Sequence, residues 1–404
     1  MRRAQTNRAV TEFDRHRSAC WLIAALVGLG MGTAPAWAEN WRISGNASQS
    51  FTYNSNLRLR STGASSVWGS VTSTAVQIRR LKQRSTLAIN GSATVAQYFN
   101  DRSSNSEDLN LAASYSRRYL RGSWGVTGAV RRASKLFTEQ TDTGDFSDNS
   151  SSTSFSLGSS AQYRLSQRES VSLRLGWSSR IFDTGGGVDS HNVSLGGSWS
   201  RTLTPRDTLA ISPSVSLIKS GDDLTSSAGL VASWSHRAGP RWNFSIGAGP
   251  RLIWRHDRAD GGRGFDVSVD INASARYAIS QRSSINFSAG SALEPASAGG
   301  VQQRFRFGLG YSYRLSQKAS VSANGSLQIN SDVVNFGNQF SDTQNLLFSA
   351  SVSYQRSLTR HLQFRSQYSF SGRRQTGGLA VSNAVSVQLV YRWDPRRLRR
   401  WRLN

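Results

Sequence analysis

The chain has 404 residues, and 49 Lys and Arg set against 24 Asp and Glu give it a formal net charge of +25 at pH 7. A single cysteine excludes an internal disulfide and a thiolate metal centre, and no nucleotide-binding spacing is present to couple the protein to an energy source. Only Lys82, Lys135, Lys219 and Lys318 are lysines, so the excess is arginine, whose planar fork suits phosphate, sulfate or carboxylate partners.

Arg2, Arg3, Arg8, Arg15 and Arg17 precede a short apolar run from Trp21 to Met31, and Ala36-Trp37-Ala38 follows with small residues at cleavage positions. That order predicts a secretory signal peptide over residues 1–38. The run is too short for a spanning helix, and Cys20 lies before it rather than at its end, which argues against a lipid anchor. Removing five arginines with Glu12 and Asp14 takes away a net +3 and leaves +22 on a chain starting at Glu39.

From Trp41 onward apolar residues alternate with small or polar ones in runs of about ten, the length at which a tilted strand crosses a bilayer. Val171, Leu173, Leu175 and Trp177 oppose Ser172, Arg174, Gly176 and Ser178. Phe305, Phe307, Leu309, Tyr311 and Tyr313 likewise oppose Arg304, Arg306, Gly308, Gly310 and Ser312. Short connections are predicted near Lys82-Gln83, Tyr119-Leu120, Ser166–Glu169, Thr204–Asp207, Ala238–Arg241, Ser280–Ser283, Ser316–Ala319 and Thr359–His361. Nine longer segments alternate with them, including Phe137–Ser152, Asp183–Ser190, His256–Gly264 and Asn330–Gln344. Together they join about eighteen strands, an even number as single-chain outer-membrane barrels require.

One turn recurs along the chain. Tyr163-Arg164-Leu165-Ser166-Gln167-Arg168 returns as Tyr277-Ala278-Ile279-Ser280-Gln281-Arg282 and as Tyr313-Arg314-Leu315-Ser316-Gln317-Lys318, with looser copies around Leu203 and Leu358. A repeat of this kind fixes the architecture before anything else does, and here the repeating unit is a β-hairpin. Aromatic residues sit at both strand ends: Tyr115, Tyr163, Trp199, Trp234, Tyr277, Tyr313 and Tyr354 before short turns, Trp254 and Phe370 before long loops. Paired aromatic girdles around an apolar band are the pattern of a membrane barrel. The expected fold is therefore all-β, an antiparallel up-and-down transmembrane barrel over residues 39–393. In the final strand Val385, Val387, Leu389, Tyr391 and Trp393 alternate outward and end on an aromatic, similar to the signal read by the barrel assembly machinery. Asp394-Pro395 stops this strand, and a basic tail over residues 394–404 is expected in the periplasm.

The opening segment Phe51-Thr52-Tyr53-Asn54-Ser55-Asn56-Leu57-Arg58-Leu59 resembles the start of outer-membrane β-barrel porins associated with exopolysaccharide and PEP-CTERM-linked gene clusters. Tyr98-Phe99-Asn100-Asp101, then Glu107-Asp108-Leu109-Asn110-Leu111, and the recurring turns are similar to patterns in that family. The resemblance extends over most of the expected mature chain. It implies an outer-membrane location and a role in polysaccharide export or permeation, periplasmic polysaccharide-export proteins as partners, and no catalytic residues.

Strand parity points Arg131, Arg174, Arg180, Arg251, Arg276, Arg306, Arg365 and Arg392 inward, where a charged channel of low dielectric concentrates ions of opposite sign. These eight are the candidate path for anions or sugars. Asp266, Asp270 and Glu294 share that face and temper the field, by pairing with neighbouring arginines in the plainest case. Ser322, Asn324, Ser326 and Gln328 suggest a hydrated interior rather than a packed one. Arginines at the short turns, such as Arg168, Arg282 and Arg314, suit lipid and lipopolysaccharide phosphates.

Competing classes are a structural or adhesive barrel without transport, and an outer-membrane enzyme for which Asp189 with His191, or Asp257 with His256, are the nearest candidates. Both pairs lie in or beside loops, where solvation explains them. Acidic loop residues Asp142, Asp145, Asp148, Asp222 and Asp223 lack the spacing of a calcium loop, and Gly185-Gly186-Gly187 lacks the strand-to-helix context of a phosphate cradle. No cofactor, no metal and no nucleic-acid partner is expected.

Overall fold

The computed structural model describes residues 41–138, 150–183, 187–256, 263–297, 299–332, 345–375 and 378–393. The expected signal peptide and basic tail lie outside this range, as do Asp142, Asp145, Asp148, Gly185, Gly186 and Asp257. Eighteen strands follow one another: β1 (Trp41–Asn54), β2 (Val67–Leu81), β3 (Ser85–Tyr98), β4 (Ser106–Arg118), β5 (Gly122–Ser134), β6 (Ser151–Arg164), β7 (Glu169–Phe182), β8 (Ser190–Thr202) and β9 (Asp207–Ser220). The second half comprises β10 (Asp223–His236), β11 (Trp242–His256), β12 (Arg263–Ala278), β13 (Ser283–Pro295), β14 (Val301–Arg314), β15 (Ala319–Asp332), β16 (Asn345–Ser357), β17 (Leu362–Gln375) and β18 (Gly378–Trp393).

Each strand pairs antiparallel with its neighbour in sequence, and β1 pairs with β18 from Gly45 opposite Trp393 to Asn54 opposite Ala384. The sheet is thus closed, which removes the free edges that an open sheet of this size would present. Closure follows from alternation. One face carries exposed Leu173, Leu175 and Trp177 on β7, then Val193 and Leu195 on β8, and Val385, Val387 and Leu389 on β18. In water such a surface would associate; against lipid it is solvated. No described helix is long and apolar enough to cross a membrane, and the strands make the crossing.

The recurring turn owes its sequence to a hydroxyl. Ser166 Oγ accepts from Arg168 N at 3.2 Å, Ser280 Oγ from Arg282 N at 3.1 Å, Ser316 Oγ from Lys318 N at 3.2 Å and Thr359 Oγ1 from His361 N at 3.2 Å. Each bond closes a side-chain turn two residues on, which explains why Ser or Thr holds that position. The preceding anchor residue, Leu165 or Leu315, stays about half exposed on the outer surface. Aromatic contacts mark the two girdles, with Trp242 stacked on Tyr277 at 4.4 Å at the short-turn end and Trp254 against Phe265 at 5.9 Å at the other.

Two sequence expectations change. The connections opposite the short turns are not uniformly long, because Gly221 and Asp222 alone join β9 to β10. Gly221, at φ +59, supplies the left-handed residue that so tight a turn requires. Nor is the loop end of the barrel a simple hydrated space. Leu57 and Leu59 from the β1–β2 connection turn inward onto Val67, Ala96, Tyr98 and Ala380, joined by Leu136 from the short helix α1 (Lys135–Thr138). Period-two reading could not register this, since Leu57, Leu59 and Leu136 belong to connections rather than strands. Asn56 holds the fold-in by donating to Arg60 O and Val381 O and accepting from Arg60 N.

Candidate functional site

Strand register sets all eight sequence-predicted arginines on the face opposite the exposed apolar residues. Arg131 stands across from Asn110 and Ser154, Arg174 from Ser160 and Gly196, Arg180 from Ser154 and Ser190, and Arg251 from Gly229 and Ser268. Arg276 faces Asn243 and Asn286, Arg306 faces Gly290 and Gln328, Arg365 faces Gln355 and Gln388, and Arg392 faces Asn46. Small and amide neighbours dominate because this face is not in contact with lipid and no bulky side chain is selected there.

The eight divide by what holds them. Arg251 donates from Nε to both carboxylate oxygens of Asp270 at 2.8 and 2.9 Å and from Nη2 at 2.7 Å, and both side chains are mostly buried. Arg306 Nε donates to Gln328 Oε1 at 3.0 Å and Arg365 Nη2 to Gln355 Oε1 at 3.0 Å. The Arg180 guanidinium lies 6.0 Å from the Phe182 ring centroid, and the charge of Arg131 acts on the Asp108 carboxylate of the neighbouring strand. Arg174, Arg276 and Arg392 are exposed and make no ion pair with any other described residue. Free guanidinium charge therefore resides chiefly on these last three, and Arg251 serves the wall.

The three inward acids expected to temper the field each hold an arginine: Asp270 holds Arg251, Asp266 holds Arg255 at 2.6 Å, and Glu294 holds Arg304. Arg255 and Arg304 are not among the expected eight. Their parity with Arg251 and Arg306 is the signal that identifies them, since each lies an even number of residues away on the same strand. Arg304 is 3% exposed and also donates through Nε to Asn330 Oδ1 at 3.3 Å. A buried arginine of this kind contributes structure and is not available to a solute.

At the short-turn end a cavity of about 910 Å³ is lined by Ser44, Asn46, Gln77, Asn90, Ser92 and Arg392, among others. Gln77 Nε2 donates to Asn90 Oδ1 at 2.7 Å, so amides and the two arginines Arg360 and Arg392 meet in a single space. At the loop end Arg58 donates to Ser103 Oγ at 2.8 Å and lies 3.9 Å from Asp101. Partial burial pushes the Asp101 carboxyl up, but hydrogen bonds from Ser103 and Ser104 and the Arg58 charge outweigh it, leaving the group below the ordinary carboxylate range.

Among the described residues the histidines give no catalytic arrangement, and the Asp257 half of the His256 candidate pair lies outside them. Asp189 accepts from Phe182 N at 2.9 Å and so orders a loop, while His191 lies on the lipid-side parity of β8 beside Val193. A pair that sequence reading missed, His236 Nδ1 with Asp207 Oδ1 at 2.6 Å, sits at the short-turn girdle between Trp234 and Phe244. The nearby hydroxyl, Thr204 Oγ1, bonds Asp207 Oδ2 rather than the imidazole, the reverse of what nucleophile activation needs. Among the described residues no three of His, Cys, Asp and Glu group as a metal site would.

No family model matches the chain, and no curated protein matches it. Among solved structures it is similar in fold to the outer-membrane porin OccK2 (OpdF) of Pseudomonas aeruginosa, at 11% identity and TM-score 0.50, covering 88% of this chain and 98% of that one. OccAB2 of Acinetobacter baumannii matches at 9% identity and TM-score 0.48, covering 89% of this chain and 100% of that one. The FrpB iron transporter of Neisseria meningitidis matches at 8% identity and TM-score 0.48, covering 88% of this chain and 81% of that one. The closed eighteen-strand antiparallel barrel with its apolar outer band is the architecture of a bacterial outer-membrane β-barrel, and OccK2 shares that fold.

Proposed function

We propose that the barrel interior is a passage for anionic or sugar-rich solutes, and that the chain is the outer-membrane component of an exopolysaccharide exit route fed by periplasmic export proteins at the short-turn end. One observation carries this reading: Arg174, Arg276 and Arg392 stand exposed on three strands of the interior face without a carboxylate partner among the described residues. Unpaired guanidinium groups in a confined space attract acidic groups, and the Asn46, Gln77 and Asn90 amides beside Arg392 offer hydroxyl-binding partners. Arginines at the short turns would hold lipid phosphates, and the alternating final strand would be the segment recognised during assembly.

A second reading, a structural barrel without transport, draws on the Leu57, Leu59, Tyr98 and Leu136 cluster that fills part of the loop end. Planar-bilayer recording with added oligomers of a uronic acid and size-matched neutral oligomers separates the two. The passage reading expects the acidic oligomer to block current at lower concentration than the neutral one. Equal block by both, or no current at any voltage, contradicts it.

A further inference from the structure

The wall is not zipped along its whole length. β12 pairs with β11 from Trp242 opposite Tyr277 to His256 opposite Arg263, yet its pairing with β13 runs only from Ala278 opposite Ser284 to Asn272 opposite Gly290. Residues 263–271 of β12 therefore have no strand partner on their β13 side, although β13 continues to Pro295 and stays paired to β14 as far as Pro295 opposite Val301. β14 also stays paired to β15 as far as Gln302 opposite Asp332, so the β13–β14 hairpin has peeled off β12 alone and remains zipped to β15. Its β13 strand approaches β9, across the interior from its own place in the wall.

Burial follows the same line. Ile218, Ser227, Ile253 and Asp266, all on the interior parity of β9 to β12, are at most 2% exposed. Gln303 of β14 has the parity of lipid-facing Phe305 and Phe307, yet it is 5% exposed and its Nε2 lies 3.4 Å from Val269 O. A residue with outward parity is buried because the hairpin has turned that face onto the inner side of β12.

Specific contacts hold the peeled state. Ser291 Oγ accepts from Ile271 N at 2.9 Å and lies 3.4 Å from Val269 O, so one side chain substitutes for the first missing rung of the ladder. At the tip, Val188 N from the β7–β8 connection donates to Ser297 O at 2.8 Å. A Cβ at Gly187 would stand 2.9 Å from that same carbonyl, at φ +153, so the approach depends on glycine there.

We infer that the β13–β14 hairpin is a gate, with a second position in which Ser291–Pro295 zips onto Val267–Ile271 and returns to the wall. Continuing the observed register sets Ile271 opposite Ser291, Val269 opposite Leu293 and Val267 opposite Pro295. An unpaired strand edge at membrane depth is unfavourable, because lipid offers no hydrogen bonds to its backbone, and the segment able to satisfy it is the adjacent β13. Pro295 has no N–H and ends the zipper at Val267. Zipped, the hairpin leaves the interior and widens it; peeled, it narrows the interior beneath the β7–β8 connection. The movement itself does not depend on what passes through, and only its effect on current rests on the passage reading.

Paired cysteines test it, in a Cys20→Ser background. Val269→Cys with Leu293→Cys stands opposed only in the zipped position, Val188→Cys with Ser297→Cys only in the peeled one, and Ala275→Cys with Phe287→Cys is a control already in register. Mild oxidation in liposomes is expected to close all three, the first raising conductance and the second lowering it, both reversed by reductant. Gly187→Ala is expected to increase the cross-linked fraction of the first pair. A control that closes while Val269→Cys with Leu293→Cys stays reduced overturns the gate. Should that pair not assemble, amide exchange in the unmodified protein decides: protection of Val267 and Val269 supports the gate, and exchange as free as in a loop overturns it. Cross-linking without any current would leave the gate standing and remove the passage.

Discussion

Arg251 and Asp270 form a three-bond ion pair across β11 and β12, with Nε and Nη2 both engaged and distances from 2.7 to 2.9 Å. Removing one partner of a buried pair strands the other charge and costs about 3–5 kcal/mol. Asp270→Asn is therefore expected to lower the urea midpoint of the purified barrel. The same substitution releases the Arg251 charge into the interior and is expected to increase anion preference. An unchanged midpoint together with unchanged selectivity would show that the pair contributes to neither.

The apolar cluster at the loop end makes a separate demand. Leu136 is 0% exposed and Leu59 4% exposed, and neither is in a strand. Truncation of a buried leucine costs about 2–5 kcal/mol through lost burial and the cavity it leaves. Here the barrel wall need not collapse with it, so Leu136→Ala is expected to loosen the β1–β2 connection and increase conductance while strand content by circular dichroism stays constant. Loss of the strand signal would place Leu136 in the folding core of the whole barrel.

The His236 and Asp207 pair is expected to serve the interface rather than chemistry. Thr204, Trp234 and His236 all direct polar atoms at the one carboxylate, which ties β10 to the turn before β9. His236→Ala should leave bilayer conductance unchanged and reduce the temperature at which the barrel unfolds on a heat-modifiability gel. A hydrolytic activity present in the unmodified protein and absent in this variant would restore the enzyme class.

Much of this molecule was legible from period-two alternation. Val171, Leu173, Leu175 and Trp177 face outward as expected, the eighteen strands close, and each turn lies within a few residues of its predicted place. The reason is physical: membrane strands must alternate, and the recurring turns carry a hydroxyl at a fixed offset, as at Ser166, Ser280, Ser316 and Thr359. What alternation could not convey is pairing between side chains on different strands. Arg251 and Arg174 look alike in sequence, and only the register reveals that Asp270 neutralises the first. The β12–β13 separation was equally hidden, because Ser291–Pro295 still alternates after it has left its neighbour.

The central claim is that free arginine charge in the interior selects anions, and reversal potential under a salt gradient tests it most directly. Arg174, Arg276 and Arg392 lack ion-pair partners among the described residues, so replacing them by glutamine should cost little stability, within about 0.5 kcal/mol each. The unmodified protein is predicted to show an anion-selective reversal potential that weakens as salt is raised. The triple variant Arg174→Gln, Arg276→Gln and Arg392→Gln is predicted to move it toward zero. A reversal potential identical in the two proteins, or cation selectivity in the unmodified one, would contradict the account.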